Sequence, residues 1–143
     1  MIRFSYDIEI AAPQARVFLL LDDLQAAPNW LVRCIKVEVE PLRYHFRQGG
    51  GRVGVMSASV ATRVLNQRLV IDFRDHQANV QLDQQLVASR TSPNATVLTC
   101  TIEVQPRSLA GKLVAPLIRK YLPNAVTASA ESIKALAEAN APA

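Results

Sequence analysis

The strongest constraint on this chain is a change of rhythm along its length. In "MIRFSYDIEI", Ile2, Phe4, Tyr6, Ile8 and Ile10 alternate with Arg3, Ser5, Asp7 and Glu9. Successive strand side chains point to opposite faces, so residues 2–10 read as a strand with one buried and one wet face. Antiparallel sheets have that habit. The same period returns at Arg33, where "RCIKVEVEP" sets Ile35, Val37 and Val39 against Lys36, Glu38 and Glu40. "RVGVMSASVATRV" continues it with an ambiguous inner phase. "RLVIDFRD" turns Leu69, Ile71 and Phe73 inward, and "NVQLDQQLVAS" does so with Val80, Leu82 and Leu86, Gln84 sharing their phase. "TVLTCTIEVQP" gives Leu98, Cys100, Ile102 and Val104 one face. "QGGG" at 48–51, whose glycines permit positive φ, and "TSPN" supply turns. The sum is an antiparallel meander, about six strands with the first included.

Two other stretches follow a helical period. "AAPQARVFLLLDDL" places Pro13 in a first turn and Val17, Leu20, Leu21 and Leu24 at helical spacing. Asp22 and Asp23 then fall near the negative end of the helix dipole, so the chain turns there. Pro28 blocks a smooth continuation, which leaves a short second helix around 25–30 ending at Trp30, the only tryptophan. From Ser108 to Ala139 alanine and leucine dominate. Ser108 suits an N-cap, and Leu109, Leu113, Leu117 and Tyr121 recur every fourth residue as an expected inner stripe, with Pro116 and Pro123 expected to kink or break the helix. A sheet with one apolar face needs cover, and only this last helix is large enough to give it. The fold class is α+β, with the helix over roughly 108–139 lying across a curved antiparallel sheet. The 143 residues form one domain, 1–143.

Function classes can be narrowed. The longest apolar runs fall far short of the ~20 residues a membrane-spanning helix needs, so stable membrane insertion is not expected. The alternating start does not read as an export signal. Cys34 and Cys100 are therefore expected as reduced thiols in a cytoplasmic setting. With His45 and His76 they show no metal-ligand spacing, so neither metal nor other cofactor is called for. The net charge of +4 and pI of about 9.4 come from scattered basic residues. Nucleic-acid binding is not expected from such scatter. "GGGRVG" lacks the Lys-Ser/Thr of a phosphate loop, and no nucleophile elbow occurs. "DFRDH" at 72–76 reads as a salt-bridged outer face.

"IEIAAPQARVFLLLDDLQAAPNW", followed by "VEVEP" and a closing helix ending "ESIKALAEA", resembles the START-like, pollen-allergen-like helix-grip superfamily (SRPBCC). Its bacterial polyketide cyclase/dehydrase and lipid-transport branch is the nearest in pattern: strand, Pro-started helix, then Asp, spacer and Trp, as Asp22, Asp23 and Trp30 stand here. Two departures are the "QGGG" turn and Pro123. The resemblance implies a helix-grip sheet wrapped around the last helix, with two short helices across one end. It places Asp22 and Asp23 in the turn between them, accepting backbone amides. It implies a hydrophobic or amphipathic ligand such as a lipid, isoprenoid or polyketide-like compound. Cyclases of the group orient a polyketide with scattered Arg, Tyr and His, but no such residue transfers here by motif. Whether the chain is an enzyme stays open, as does a filled-core interaction module.

Trp30, Phe73, Gln84, Leu117 and Tyr121 are expected to face one shared cavity, with Arg33 near its mouth. Trp30 also reads as an ordinary core anchor, Arg33 as a simply exposed residue, and Gln84 as a core amide with partners. A buried amide without a partner costs roughly 1–3 kcal/mol, which is why Gln84 is informative.

Overall fold

The structure is a computed structural model that describes residues 1–139; the last positions of the single-domain reading, 140–143, lie outside the described residues. Strand β1 (Ile2–Ile10) leads into helix α1 (Gln14–Asp22) and a 3-10 helix (Leu24–Asn29). Six strands follow in series: β2 (Cys34–Val39), β3 (Leu42–Arg47), β4 (Val53–Val64), β5 (Arg68–Arg74), β6 (Ala78–Ala88) and β7 (Thr96–Pro106). Helix α2 (Leu109–Ala139) ends the described chain. One seven-stranded curved sheet results, in the order β1-β7-β6-β5-β4-β3-β2, antiparallel at every step. No helix among the described residues is long and apolar enough to cross a membrane.

The alternating pattern of β1 is realised, with Ile8 and Ile10 in the core and Arg3, Ser5, Asp7 and Glu9 turned outward or partly so. The sheet has one strand more than the six expected. The extra strand is β3, "LRYHFR", which alternates Leu42, Tyr44 and Phe46, packed on the core, with the polar Arg43, His45 and Arg47. Gly50 and Gly51 take positive φ of 74° and 76° in the turn that joins β3 to β4, conformations that cost a glycine little. The expected phase of β2 slips. A bulge between Cys34 and Lys36 buries Cys34 and Val37 and exposes Ile35 and Val39.

Asp22 does not cap backbone amides as the resemblance implied. Its carboxylate accepts from Arg63 on β4, from Nη2 at 2.6 Å and Nε at 2.9 Å, and that guanidinium also lies over the Phe18 ring. A cation at the negative end of α1 offsets the poor placement of the aspartates.

Helix α2 lies along β1 and β7, and α1 touches it as well. Ser108 caps it, its hydroxyl accepting the Gly111 amide at 3.1 Å. Both prolines sit inside one continuous helix, not at a break. The carbonyls they deprive of a partner belong to Lys112 and Arg119, which are exposed, so water can serve them. The C-terminal end is clipped to the end of β1: Glu138 accepts the Ala11 amide at 2.8 Å, and Lys134 Nζ donates to the Glu9 carbonyl at 2.8 Å.

The inner stripe of α2 is not the expected one. Gly111, Val126, Ser129, Ala130, Ile133 and Ala137 are buried, with Ala115, Ile118 and Leu122 packed on Ile2, Ala78 and Val104. Leu109, Leu113, Leu117 and Tyr121 face outward, each more than half exposed. Spacing alone does not choose between the two stripes. Steps of four drift by about 40° around a helix, so positions 109, 113, 117 and 121 span roughly 120° and hold one face over three turns. Positions 111, 115, 118 and 122 hold the opposite face, and that is the one the sheet covers. Gly111 gives the steric reason, since a Cβ there would sit 2.1 Å from the Gln77 carbonyl oxygen. Only glycine lets the first turn of α2 close on the β5–β6 turn.

Candidate functional site

Between the sheet and the middle of α2 lies a cavity of about 140 Å3. Phe73 on β5, Val80, Leu82 and Gln84 on β6, and Cys100 and Ile102 on β7 form its floor. Phe46 and Met56, from β3 and β4, wall one side. Trp30, Leu31 and Val32, in the segment before β2, and Ala125, Val126 and Ser129 of α2 complete it. The small Ala125 and Ser129 leave room where a Leu would close the gap. Ser129 also holds the segment in place, its hydroxyl accepting the Val32 amide at 3.0 Å.

Gln84 is the unusual member. It is 0% exposed, stands between Leu69 and Cys100 on the neighbouring strands, and neither amide atom has a protein partner. Trp30 Nε1 is a second buried donor without one, and the Tyr44 hydroxyl is a third polar group in that state. Tyr44 stands behind the wall, its ring edge-to-face on Phe73 at 4.7 Å. Buried polar groups are nearly always satisfied, which makes these atoms unusual, and both Gln84 and Trp30 line the cavity.

Among the described residues, the wall carries no carboxylate, imidazole, amine or guanidinium, and its one titratable group is the Cys100 thiol. Burial pushes that thiol up to about 12, with Asp7 and Asp83 adding to the effect. Burial likewise raises Cys34 to about 11 and holds the Tyr44 phenol above its ordinary range. All three stay protonated near neutral pH, poor nucleophiles and poor bases alike.

Of the six expected site residues, Trp30, Phe73 and Gln84 share this cavity. Arg33 does not line it. With a left-handed φ of 66° it swings out, exposed, and donates to the Arg47 carbonyl at 3.4 Å. Leu117 and Tyr121 are not in it either, because the α2 phase turns them to solvent. Phe46, Met56, Leu31, Val32 and the α2 residues were missed. Phe46 was legible in the alternation of β3, and Cys100, Leu82 and Ile102 already shared the inner phase. The small residues Ala125 and Ser129 carried no signal, since small side chains in a helix also mark close packing.

The histidines stand elsewhere. His45 Nε2 meets Glu38 at 2.6 Å at the partly exposed β2–β3 pair, lowering the Glu38 carboxyl below its ordinary range, and His76 is exposed in the β5–β6 turn. In "DFRDH", Asp72 accepts from the Gln81 amide at 3.0 Å and Asp75 accepts the Gln77 and Ala78 amides, so a hydrogen-bonded strand face and a capped turn replace the expected salt bridges. A larger groove, about 480 Å3, runs across the polar outer face between Ser57, Asp72, Arg74 and Gln81. It is open to solvent and encloses nothing, so the apolar cavity is the better site.

A family model described as polyketide cyclase/dehydrase and lipid transport matches residues 1–138. The chain belongs to that family. The helix-grip architecture of this family member is shared with solved structures at low identity. The Zhui aromatase/cyclase from Streptomyces sp. R1128 superposes with a TM-score of 0.83 at 13% identity, covering 99% of this chain and 96% of that one. A START superfamily protein from Mycobacterium smegmatis gives 0.76 at 16% identity, over 97% and 99% of the two chains. TTHA0849 from Thermus thermophilus gives 0.73 at 15%, over 99% and 100%. At these identities the likeness is one of fold. No curated protein matches the sequence.

Proposed function

We propose that this family member binds a neutral, mainly apolar small molecule in the cavity between sheet and α2, with one polar group of the ligand on the Gln84 amide. The observation that carries the reading is a fully buried side-chain amide, without protein partners, in an otherwise apolar chamber. An amide both donates and accepts, so it suits a hydroxyl, carbonyl or carboxamide, and Trp30 Nε1 offers a second donor. A charged ligand group would lose its hydration with no counter-charge on the wall, at a cost of several kcal/mol. Size sets a further bound. Cavities near 150 Å3 admit a single aromatic ring, so about 140 Å3 suits a one-ring compound or the head of a longer one. A whole lipid, isoprenoid or polyketide would need the Val32–Ser129 clasp to open.

A cyclase or dehydratase, the activities in the family's description, needs a proton donor or acceptor at the substrate. A wall whose one titratable group is a thiol near 12 supports binding over turnover. The open interior likewise weighs against a filled-core interaction module.

Native mass spectrometry of the purified protein tests occupancy, and ligand-observed NMR with benzamide and benzoate tests the charge rule on one shape. Benzamide is expected to bind and benzoate to be excluded. Empty protein in repeated preparations together with no benzamide contact would refute the reading.

A further inference from the structure

The outward side of the first half of α2 has no partner in the fold. Leu109 and Leu113 are 75% and 74% exposed, Leu117 and Tyr121 both 55%. The opposite side of this stretch, from Gly111 to Leu122, is already packed on Ile2, Ala78 and Val104, so the outward side should be polar if water were its permanent neighbour. Instead the leucines are interleaved with Lys112, Arg119 and Lys120, after Arg107, and the sequence has no acidic residue between Glu103 and Glu131. Among the described residues those three cations have no carboxylate partner; Lys120 leans over the Tyr121 ring at 5.7 Å. The acids at this end are engaged. Glu103 meets Arg3 at 3.4 Å, and Asp75 caps its own turn while its carbonyl receives Arg107.

We propose that this face of α2 seats on an anionic lipid bilayer, the leucines at the headgroup boundary and the cations on the lipid charges. Exposed apolar side chains among unpaired cations match the chemistry of an anionic bilayer surface. Charge disfavours a second copy, because a two-fold pair through this face would bring two sets of cations together with no acid between them. Shape disfavours a protein partner: the leucines stand off a convex helix, and a partner would need a matching groove, whereas a fluid interface conforms to any ridge. Lys120 can extend from among the leucines to the headgroups, as long cationic side chains do. One turn beyond Tyr121, Ala125 and Val126 belong to the cavity wall. The seat and the chamber are thus carried on the same helix.

Co-sedimentation of the full chain with vesicles of phosphatidylcholine containing about one-third phosphatidylserine is the test, beside pure phosphatidylcholine vesicles, at low and high ionic strength. Binding is expected only with phosphatidylserine and is expected to weaken with salt. Each cation contributes roughly fivefold, so Lys112→Gln/Arg119→Gln/Lys120→Gln should lose about a hundredfold. Leu113→Gln/Leu117→Gln should lose at least about tenfold. All these side chains are exposed, so melting temperatures should hold; Gln84→Leu should bind vesicles as the wild type does. Failure to bind phosphatidylserine vesicles, equal binding to both vesicle types, or unchanged binding by the charge variant or the leucine variant of α2 would overturn the proposal. Self-association abolished by Leu113→Gln/Leu117→Gln in sedimentation velocity would also overturn it, assigning the face to a second copy.

Discussion

Replacing Gln84 by Leu separates a ligand-holding amide from a structural one. The substitution keeps the volume close and deletes two polar atoms that have no protein partner at 0% exposure. Leaving a buried amide short of partners costs roughly 1–3 kcal/mol, relieved in part by water in the cavity. Leucine carries no such cost and adds apolar contact with Leu82, Leu69 and Cys100. Gln84→Leu should therefore stabilise the empty protein by about 1–3 kcal/mol, which for a domain of this size raises Tm by roughly 4–12 °C. The ligand loses what Gln84 offered. One or two hydrogen bonds at about 0.5–1.5 kcal/mol each make benzamide about tenfold weaker, while toluene, with nothing to donate or accept, holds or gains. Urea unfolding and ligand-observed NMR titration on the same preparations read both quantities. A variant destabilised by ~1–3 kcal/mol with unchanged benzamide affinity would mean that Gln84 serves core partners, and the site would lose its anchor.

Three further outcomes follow from the packing. Ile133→Ala, in a fully buried position of α2, should cost about 2–5 kcal/mol, whereas Leu117→Ala should stay within about 0.5; equal costs in urea midpoints would reverse the helix phase. Gly111→Ala should destabilise by roughly 1–3 kcal/mol, because its methyl meets the Gln77 carbonyl, and a neutral thermal shift would deny that contact. At pH 8 the buried Cys100 thiol, with its pKa pushed up to about 12, should be alkylated far more slowly than in unfolded protein, and benzamide should slow it further while leaving Cys34, outside the cavity wall, unchanged; mass-resolved alkylation at the rate of a free thiol would show the chamber to be open.

Much of the fold was legible because it rests on local rules. Period two in β1, β5, β6 and β7 announced an antiparallel sheet whatever lay on top of it, and the same phase placed Phe73 and Gln84 on the inner face. The glycines at 50 and 51 and the serine at 108 did what turn and cap chemistry requires. The order of elements, a strand, short helices, a meander and a long helix, left one element able to cover the sheet.

What the sequence could not decide was how surfaces meet. Leu117 and Tyr121 lie on a sequence stripe as apolar as the true one, and the choice between them fell to Gly111, whose missing Cβ admits the Gln77 carbonyl and turns the other side of α2 inward. A bulge at Cys34 moved the phase of β2, and a positive φ swung Arg33 away from the chamber. Those are one-residue events whose consequences lie across the molecule, so no window of neighbouring residues contains them. The cavity is of the same kind. It exists because Ala125 and Ser129 on one element come to lie over Gln84 and Cys100 on others, and a volume left between side chains has no sequence of its own.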